Sequence, residues 1–223
     1  MKIQIIGSDF AFGGMNTSFF FRDDSNRGVL VDCGFTVFPE LLRRDMTGDI
    51  DVVLVSHPHP DHTGSLCTLA IFTKLYRNKI LMIGGYDVAG IFKETGIRQL
   101  EDYVPLPPDD PISPKMIQTK HIAGHGHNDA LFIADTILYS GDTNESVLDT
   151  DYARNAKIIF HEATHIQTPQ AHTTFDKLNS AAPEIKAKTW LVHIPLTERA
   201  ELEKLAAEYG FAGVCYNGQE IEI

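Results

Sequence analysis

The sequence is poor in the residues that mark several large classes of protein. Three cysteines, far apart among 223 residues, are too few for a disulfide framework, and they favour a reducing compartment. Basic residues are the minority, since 19 Lys and Arg stand against 30 Asp and Glu for a net charge of −11. Because phosphate neutralisation needs clustered Lys and Arg, this balance argues against a surface that grips long nucleic acid.

Long apolar runs are also missing. No stretch approaches the roughly 20 apolar residues that a membrane-spanning helix needs, and the first strand-like run breaks after Ile6 with Gly, Ser and Asp. We therefore expect no signal peptide, no membrane association and a cytoplasmic location. The 43% hydrophobic content is enough for a folded core, and no repeat or long linker divides the sequence. We expect one domain over residues 1–223.

Short apolar runs alternate with stretches of helical periodicity along the whole chain. The runs predict strands at 2–6, 17–22, 28–31, 51–55, 80–83, 115–120, 130–133, 136–139, 156–160 and 189–192, with a strand pair at the end. Helices are predicted at 64–77, 87–95, 175–182 and 198–209. Strands and helices mixed in both halves indicate a layered α/β fold.

Histidine is the abundant exception, with ten residues against a single Trp. The densest group follows a predicted strand in the run Ser-His-Pro-His-Pro-Asp-His, which contains His57, His59, Asp61 and His62. Imidazole and carboxylate are ligands that suit zinc, and also manganese or iron. The prolines hold the run extended, so His57 and His59 should point one way and the next two ligands toward a neighbouring point. This spacing serves two adjacent metals better than one.

The same run resembles the His-x-His-x-Asp-His signature of the metallo-β-lactamase superfamily. Further similar elements are Leu-Val-Asp-Cys-Gly at 30–34, Tyr-Ser-Gly-Asp-Thr at 139–143 and Leu-Val-His at 191–193. The resemblance covers nearly the whole chain. It implies a four-layer αββα sandwich with the site at the strand ends.

The resemblance also implies two sets of metal ligands. The first metal would be held by His57, His59 and a histidine from the middle of the chain, and the second by Asp61, His62 and His193, with Asp142 shared by both. The middle ligand is open among three histidines, in the order of preference His125, His127, His121. His125 comes first because its distance from the strand at 130–133 matches the loop that the family uses.

A second pair of motifs points to one branch of the superfamily. His-Glu-Ala-Thr at 161–164 and His-Thr-Thr at 172–174 resemble the elements that the tRNA 3′-processing endonucleases (RNase Z) and their phosphodiesterase relatives share. The family pattern has Ser where Thr173 stands, a change that keeps a hydroxyl group. In that branch Glu162 and His172 would support protonation of the leaving oxygen. A strand end with a capping carboxylate is the structural alternative.

The expected chemistry is hydrolysis of a small phosphodiester. Two divalent ions about 3.5–4 Å apart lower the pKa of a bridging water and neutralise a phosphoryl oxygen, and Asp61 can orient the resulting hydroxide. We expect zinc first, with manganese or iron as alternatives. The tRNA-gripping arm of RNase Z would lie between the middle ligand and Asp142, but that interval spans only 17 positions from His125. A cyclic nucleotide, a short oligonucleotide or a nucleotide-like metabolite is therefore favoured over tRNA.

Two other functions stay open on the sequence. Thioester, lactone and ester hydrolases share the metal ligands but not the Glu162–His172 pair. The second alternative is a non-catalytic metal-binding or degenerate module whose site serves structure or sensing. The presence of every expected ligand argues against the second. A homodimer is expected by analogy with relatives.

Overall fold

The computed structural model describes residues 1–121, 128–166 and 171–223. Its strands are β1 (Lys2–Gly7), β2 (Ser18–Arg22), β3 (Gly28–Val31), β4 (Ile50–Val55), β5 (Leu81–Gly85), β6 (Tyr103–Pro105), β7 (Lys115–Thr119), β8 (Asn128–Ile133), β9 (Ile137–Tyr139), β10 (Ile158–Glu162), β11 (Thr189–Val192), β12 (Gly213–Val214) and β13 (Glu220–Glu222). Its helices are α1 (Val37–Arg43), α2 (Pro60–Thr63), α3 (Leu66–Arg77), α4 (Ala89–Glu94), α5 (Asp151–Asn155), α6 (Phe175–Asn179), α7 (Pro183–Lys186) and α8 (Arg199–Tyr209).

The first of two compact units comprises Met1–Gly7, Met15–Ser113 and Asn217–Ile223. Its sheet has the strand order β13-β1-β2-β3-β4-β5-β6. The pairs from β13 to β3 are antiparallel, and the pairs from β3 to β6 are parallel. The central parallel strand β4, Ile-Asp-Val-Val-Leu-Val, is buried at every position but one, as expected for a parallel strand covered on both faces.

Helix α3 shows how the sequence sets the packing of this unit. Its buried residues Leu66, Leu69, Ala70 and Thr73 recur at the spacing of one helical face. The apolar ones join the core cluster that β3, β4 and β5 build. The helix ends at Arg77, and the next residue, Asn78, takes the left-handed conformation common after a helical C-terminus.

The second unit comprises Ser8–Gly14 and Pro114–Tyr216. Its sheet has the order β12-β11-β10-β9-β8-β7, parallel from β12 to β9 and antiparallel from β9 to β7. A separate apolar cluster joins this sheet to α5, α6, α7 and α8. The two sheets with their helices confirm the predicted α/β class, whereas the single domain stays a prediction.

Most predicted elements are found within one or two residues of their expected bounds, and β3 and β11 match them at both ends. Three differences are informative. Helix α1 was not predicted, because Pro39 lies in its third position; proline is tolerated in a first turn, where no intrahelical N–H bond is lost. A short helix, α2, begins at Pro60 inside the histidine run rather than beyond it. The last two strands do not pair with each other, since β12 pairs with β11 and β13 with β1.

Among the residues that the structure describes, no helix combines the length and the apolar composition needed to cross a membrane.

Candidate metal centre and acid–base pair

The end of β4 positions the first two histidines of the run. His57 is buried and His59 is half-buried, and Nε2 of His57 lies 3.1 Å from Nδ1 of His59. Two ligand atoms that each lie about 2.0–2.1 Å from a tetrahedral zinc ion are separated by about 3.3 Å. The two imidazoles therefore have the spacing of neighbouring ligands of one metal.

Helix α2 presents the next two candidate ligands. His59 has the extended conformation expected before a proline, and Pro60 then starts a helical turn that carries Asp61 and His62. Both side chains are buried, with Nε2 of His62 3.3 Å from Oδ2 of Asp61. This is again a ligand–ligand spacing. The turn is secured at its start by the Thr63 hydroxyl, 3.0 Å from the carbonyl oxygen of His59.

Asp32 orients two of the histidines of this unit, a role that the sequence did not reveal. Its fully buried carboxylate accepts from Nδ1 of His62 at 2.7 Å and from the backbone N–H and hydroxyl of Ser56, both at 2.8 Å. The Ser56 hydroxyl in turn lies 3.0 Å from Nδ1 of His57. A bond to Nδ1 fixes the ring and leaves Nε2 to face a metal. Asp32 thus holds the orientation of His62 directly and that of His57 through Ser56.

The glycine two positions after Asp32 allows the chain to approach α2. A Cβ atom on Gly34 would lie 1.9 Å from the carbonyl oxygen of Asp61, far inside contact distance. The backbone N–H of Cys33 donates to the carbonyl oxygen of His62 at 2.7 Å. The Asp-Cys-Gly motif therefore packs against the helix that carries Asp61 and His62 and hydrogen-bonds to it.

In the second unit, Asp142 and His193 form a matching pair. Oδ2 of Asp142 lies 3.3 Å from Nε2 of His193, and both residues are buried. The amide side chain of Asn128 holds the Asp142 backbone, accepting from its N–H at 3.2 Å and donating to the carbonyl oxygen of Ser140, also at 3.2 Å. His193 follows β11 with a positive φ of 56°, a conformation uncommon outside glycine. This turn directs the imidazole toward Asp142.

Of the three candidates for the middle ligand, His121 is the one that the structure describes. Its Nδ1 lies 2.6 Å from the carbonyl oxygen of Ala171, and its Nε2 lies 3.9 Å from Oδ2 of Asp142. A histidine whose Nδ1–H donates to a carbonyl oxygen presents Nε2 as the ligand atom, the usual arrangement at metals. His125, which the sequence favours, and His127 lie outside the described residues.

Glu162 and His172 form a close pair in the same unit. Glu162 ends β10, and its Oε2 accepts from Nδ1 of His172 at 2.5 Å, while its Oε1 accepts from the backbone N–H of Thr143. Burial raises the pKa of Glu162, and the neighbouring imidazole opposes that shift. The carboxylate thus engages Nδ1 of the imidazole and fixes the direction of its Nε2 atom. The pair has the geometry of a histidine proton donor oriented by an acid.

These side chains of the second unit lie close together. Ligand atoms of Asp142, Glu162, His172 and His193 all fall within 4.8 Å of one another. The fold thus brings a proton-transfer pair beside two candidate metal ligands, although β10 and β11 are separated along the chain by α6 and α7. In each unit, the donor types and their spacings fit a divalent transition metal.

The neighbouring His161 has a structural role. It is fully buried, its Nδ1 lies 2.8 Å from the carbonyl oxygen of Glu162, and its Nε2 accepts from the backbone N–H of Val147 at 3.2 Å. Burial lowers the pKa of this imidazole to about 4. Neutral His161 therefore ties the end of β10 to the loop before α5.

Known proteins resemble the chain in sequence over most of its length. The family model of the anti-Pycsar protein Apyc1 matches residues 1–95 and 87–220. An anti-Pycsar protein Apyc1 from Paenibacillus sp. (strain J14) is 28% identical over 221 residues, which covers 86% of this chain and 89% of that protein. The one from Saccharibacillus brassicae is 30% identical over 222 residues, with the same coverage of both chains.

Solved structures confirm the metallo-β-lactamase fold. The metallo-β-lactamase fold protein YhfI from Bacillus subtilis has a TM-score of 0.76 at 20% identity, covering 99% of this chain and 98% of its own. A diphosphatase of the PhnP family has a TM-score of 0.70 at 18% identity, and the match covers 100% of this chain and 97% of that one. Human tRNase Z, short form, has a TM-score of 0.69 at 15% identity, and the match covers 100% of this chain and 99% of that one. A tRNase Z among these neighbours matches the predicted RNase Z-like resemblance.

Fold and ligand chemistry together support a metal-dependent hydrolase. The family match extends over both the histidine run and the Glu162–His172 pair. The chain therefore belongs to the family of the anti-Pycsar protein Apyc1.

Proposed function

We propose that this protein is a two-metal phosphodiesterase that opens a cyclic nucleotide to a nucleoside monophosphate. The observation that carries the proposal is the Glu162–His172 pair, with Oε2 and Nδ1 2.5 Å apart beside Asp142 and His193. A thioester expels a thiolate, which needs a dedicated proton donor of this kind less than a ribose alkoxide does. The anti-Pycsar name of the relatives suggests a role in degrading cyclic-nucleotide signals.

The metal ligands of the proposal follow the sequence resemblance. One ion would be held by His57, His59 and the middle histidine, the other by Asp61, His62 and His193, with Asp142 shared. Zinc suits this set of imidazoles and carboxylates, and manganese or iron would also fit. When bound, the two ions would supply an activated water and neutralise charge on the phosphoryl oxygens.

We favour His121 over His125 as the middle ligand. The support is the bond from its Nδ1 to the carbonyl oxygen of Ala171 and the 3.9 Å between its Nε2 and Asp142. Elemental analysis of His121→Ala and His125→Ala decides between them, because only the true ligand should lower the metal content of the purified protein. Loss with His125→Ala alone would instead identify His125 as the middle ligand.

The remaining steps belong to the side chains of the protein. Asp61 orients the attacking water opposite the ribose oxygen that leaves. A new bond forms from the water oxygen to phosphorus as the bond from phosphorus to the ribose oxygen breaks. Nε2 of His172 gives its proton to that oxygen, while the proton lost by the water passes to solvent. The product is a phosphate monoester, one water is consumed, and His172 regains a proton from solvent before the next turnover.

A small substrate agrees with the charge and the length of the chain. The net charge of −11 disfavours a long polyanion, and the interval between the middle histidines and Asp142 leaves no room for an RNA-gripping arm. A cyclic nucleotide carries one negative charge, which two divalent ions and their ligands can accommodate.

The test compares substrates and variants in parallel. Metal-loaded protein is assayed with cyclic nucleotides, a linear dinucleotide, a p-nitrophenyl phosphodiester, a thioester and a lactone. We expect cyclic nucleotides to be hydrolysed, and His172→Ala to lower kcat for them by about 100- to 10,000-fold. The loss should be much smaller with the p-nitrophenyl ester, because nitrophenolate leaves without a proton.

His165, an exposed histidine in the loop after β10, provides a matched control. His165→Ala should leave both rates unchanged, and metal analysis should give the same content in both variants. Turnover of the thioester or lactone with no diester activity, together with a neutral His172→Ala, would favour the carboxylic-ester or thioester alternative. A protein that binds metal and turns over none of these substrates would be a non-catalytic module.

A further inference from the structure

The segment Ser8–Gly14 carries an aromatic ring to the acid–base pair. The ring of Phe10 meets the imidazoles of His172 and His193 edge to face, with both centroid distances 4.9 Å and interplanar angles of 73° and 63°. Such edge contacts are favourable and orient the rings concerned. Phe10 is half-buried, so it forms part of the wall beside the pair rather than part of the distant core.

The segment is fixed to the strand end that carries His193. The backbone N–H of Phe10 donates to the carbonyl oxygen of Ile194 at 3.1 Å, and the N–H of Ile194 donates to that of Ser8 at 3.0 Å. Between them, the carboxylate of Asp9 is buried and binds the Arg199 guanidinium at 2.7 Å. The position of Phe10 relative to His193 is therefore set by backbone bonds and an ion pair.

Phe12 stands at the tip of this segment and is strongly exposed. Its side chain is 89% exposed, and its ring centroid lies 6.3 Å from that of Phe10 at an angle of 71°. Leu196, itself 55% exposed, borders the same segment, since a Cβ atom on Gly13 would lie 3.3 Å from its Cδ1. Exposed apolar side chains such as these, next to the proposed acid–base pair, indicate a surface that binds a ligand.

We infer that Phe12 stacks on the nucleobase of the substrate and that Phe10 sets its distance from the site. The inference rests on the proposed function. In a cyclic nucleotide one ribose separates the phosphate from the base; here the ring of Phe10 separates His172 from Phe12. Stacking on an aromatic ring accepts every base, because each has a π-face. Phe12 therefore contributes to binding of nucleotides as a class rather than to discrimination between bases.

The test pairs a nucleoside 3′,5′-cyclic phosphate with the same cyclic phosphate on a methyl riboside, which has no base. Phe12→Ala should raise KM for the nucleotide by about 5- to 150-fold, the factor expected for one lost base stack. Its kcat should stay within about twofold, since the chemical groups are untouched. KM for the base-free compound should not change. Phe12→Trp, which keeps a stacking surface, should restore KM for the nucleotide.

Tyr76, an exposed aromatic residue on α3, gives the matched control. Tyr76→Ala should leave both KM values unchanged. The inference is overturned if Phe12→Ala affects both substrates equally or neither. It is also overturned if this variant converts a dimer to a monomer in sedimentation, which would assign Phe12 to a contact between copies. Wild-type protein that hydrolyses neither cyclic phosphate would instead refute the proposed function, on which the inference depends.

Discussion

Replacement of Asp32 by asparagine should weaken metal binding without removing any metal ligand. The carboxylate is fully buried and receives three hydrogen bonds at 2.7–2.8 Å from His62 and Ser56. An asparagine keeps one oxygen for the Ser56 N–H but turns an amide NH₂ toward Nδ1–H of His62, so two donors face each other. The imidazole must then rotate or change its tautomer, and its Nε2 atom loses its fixed direction.

The contacts of Asp32 also indicate how much metal affinity should be lost. A hydrogen bond to a charged acceptor contributes about 1.5–3 kcal/mol, and loss of the group that orients a ligating histidine lowers metal affinity about 10- to 100-fold. We expect a Zn²⁺ dissociation constant higher by this factor for Asp32→Asn. The measurement is a competition titration against a chromophoric chelator, with far-UV circular dichroism to establish that the variant is folded.

Asp51 supplies the control for this experiment. It is also a hydrogen-bonded carboxylate of the first sheet, 2.7 Å from the N–H of Gly28 and 2.8 Å from the Lys79 ammonium, but it touches no candidate ligand. Asp51→Asn should leave the dissociation constant unchanged. Equal weakening in both variants, or an unaltered constant in a folded Asp32→Asn protein, would refute the orienting role of Asp32.

Removal of metal with a chelator should lower Tm by about 5–10 °C relative to protein at 100 times the dissociation constant, and Zn²⁺ should restore it in a thermal melt. The pKa of buried His161 is lowered from 6.5 to about 4, so the unfolded chain binds more protons between these values. Stability relative to His161→Gln should therefore fall by up to about 3 kcal/mol as the pH drops from 7 to 4, measured by urea unfolding. Arg43 and Arg44 lower the pKa of Glu40 from 4.5 to about 2, which stabilises the fold above pH 4.5 and ceases to do so as the pH falls toward 2. Because Arg43 is mostly exposed, Glu40→Gln should cost only about 1 kcal/mol at pH 7, and wild type and variant should converge near pH 2.

The sequence predicts the parts of the fold that local patterns encode. The strand at 28–31 is bounded by a glycine and by the Asp-Cys-Gly turn, and α3 shows a clear apolar face, so both were predicted close to their bounds. Helix α1 has a proline in its first turn and only seven residues, which hides its periodicity. The pairing of the last two strands with different sheets depends on contacts far along the chain, which no local pattern reveals.

The candidate site likewise has a part that local sequence patterns predict and a part that depends on distant contacts. His57, His59, Asp61 and His62 are adjacent in sequence, so their spacing alone indicates a metal. Asp32, by contrast, meets His62 across 30 positions, and Phe10 contacts His172 from a distant part of the sequence. The proposal of His121 as the middle ligand rests on its contact with the carbonyl oxygen of Ala171, which lies 50 positions away. The homodimer, the metal identity and the cellular location stay predictions.

The pairing of β1 with β13 has a consequence for how the chain folds. Lys2 lies opposite Glu222, and the backbone bond that extends this pair joins residues 222 positions apart. During synthesis, β1 can pair with β2 early, but its other edge has no strand partner until the last of these residues leaves the ribosome. An open strand edge of this kind invites pairing with other chains, and contacts of such high sequence separation form slowly. We therefore expect nascent or truncated chains that lack β13 to aggregate.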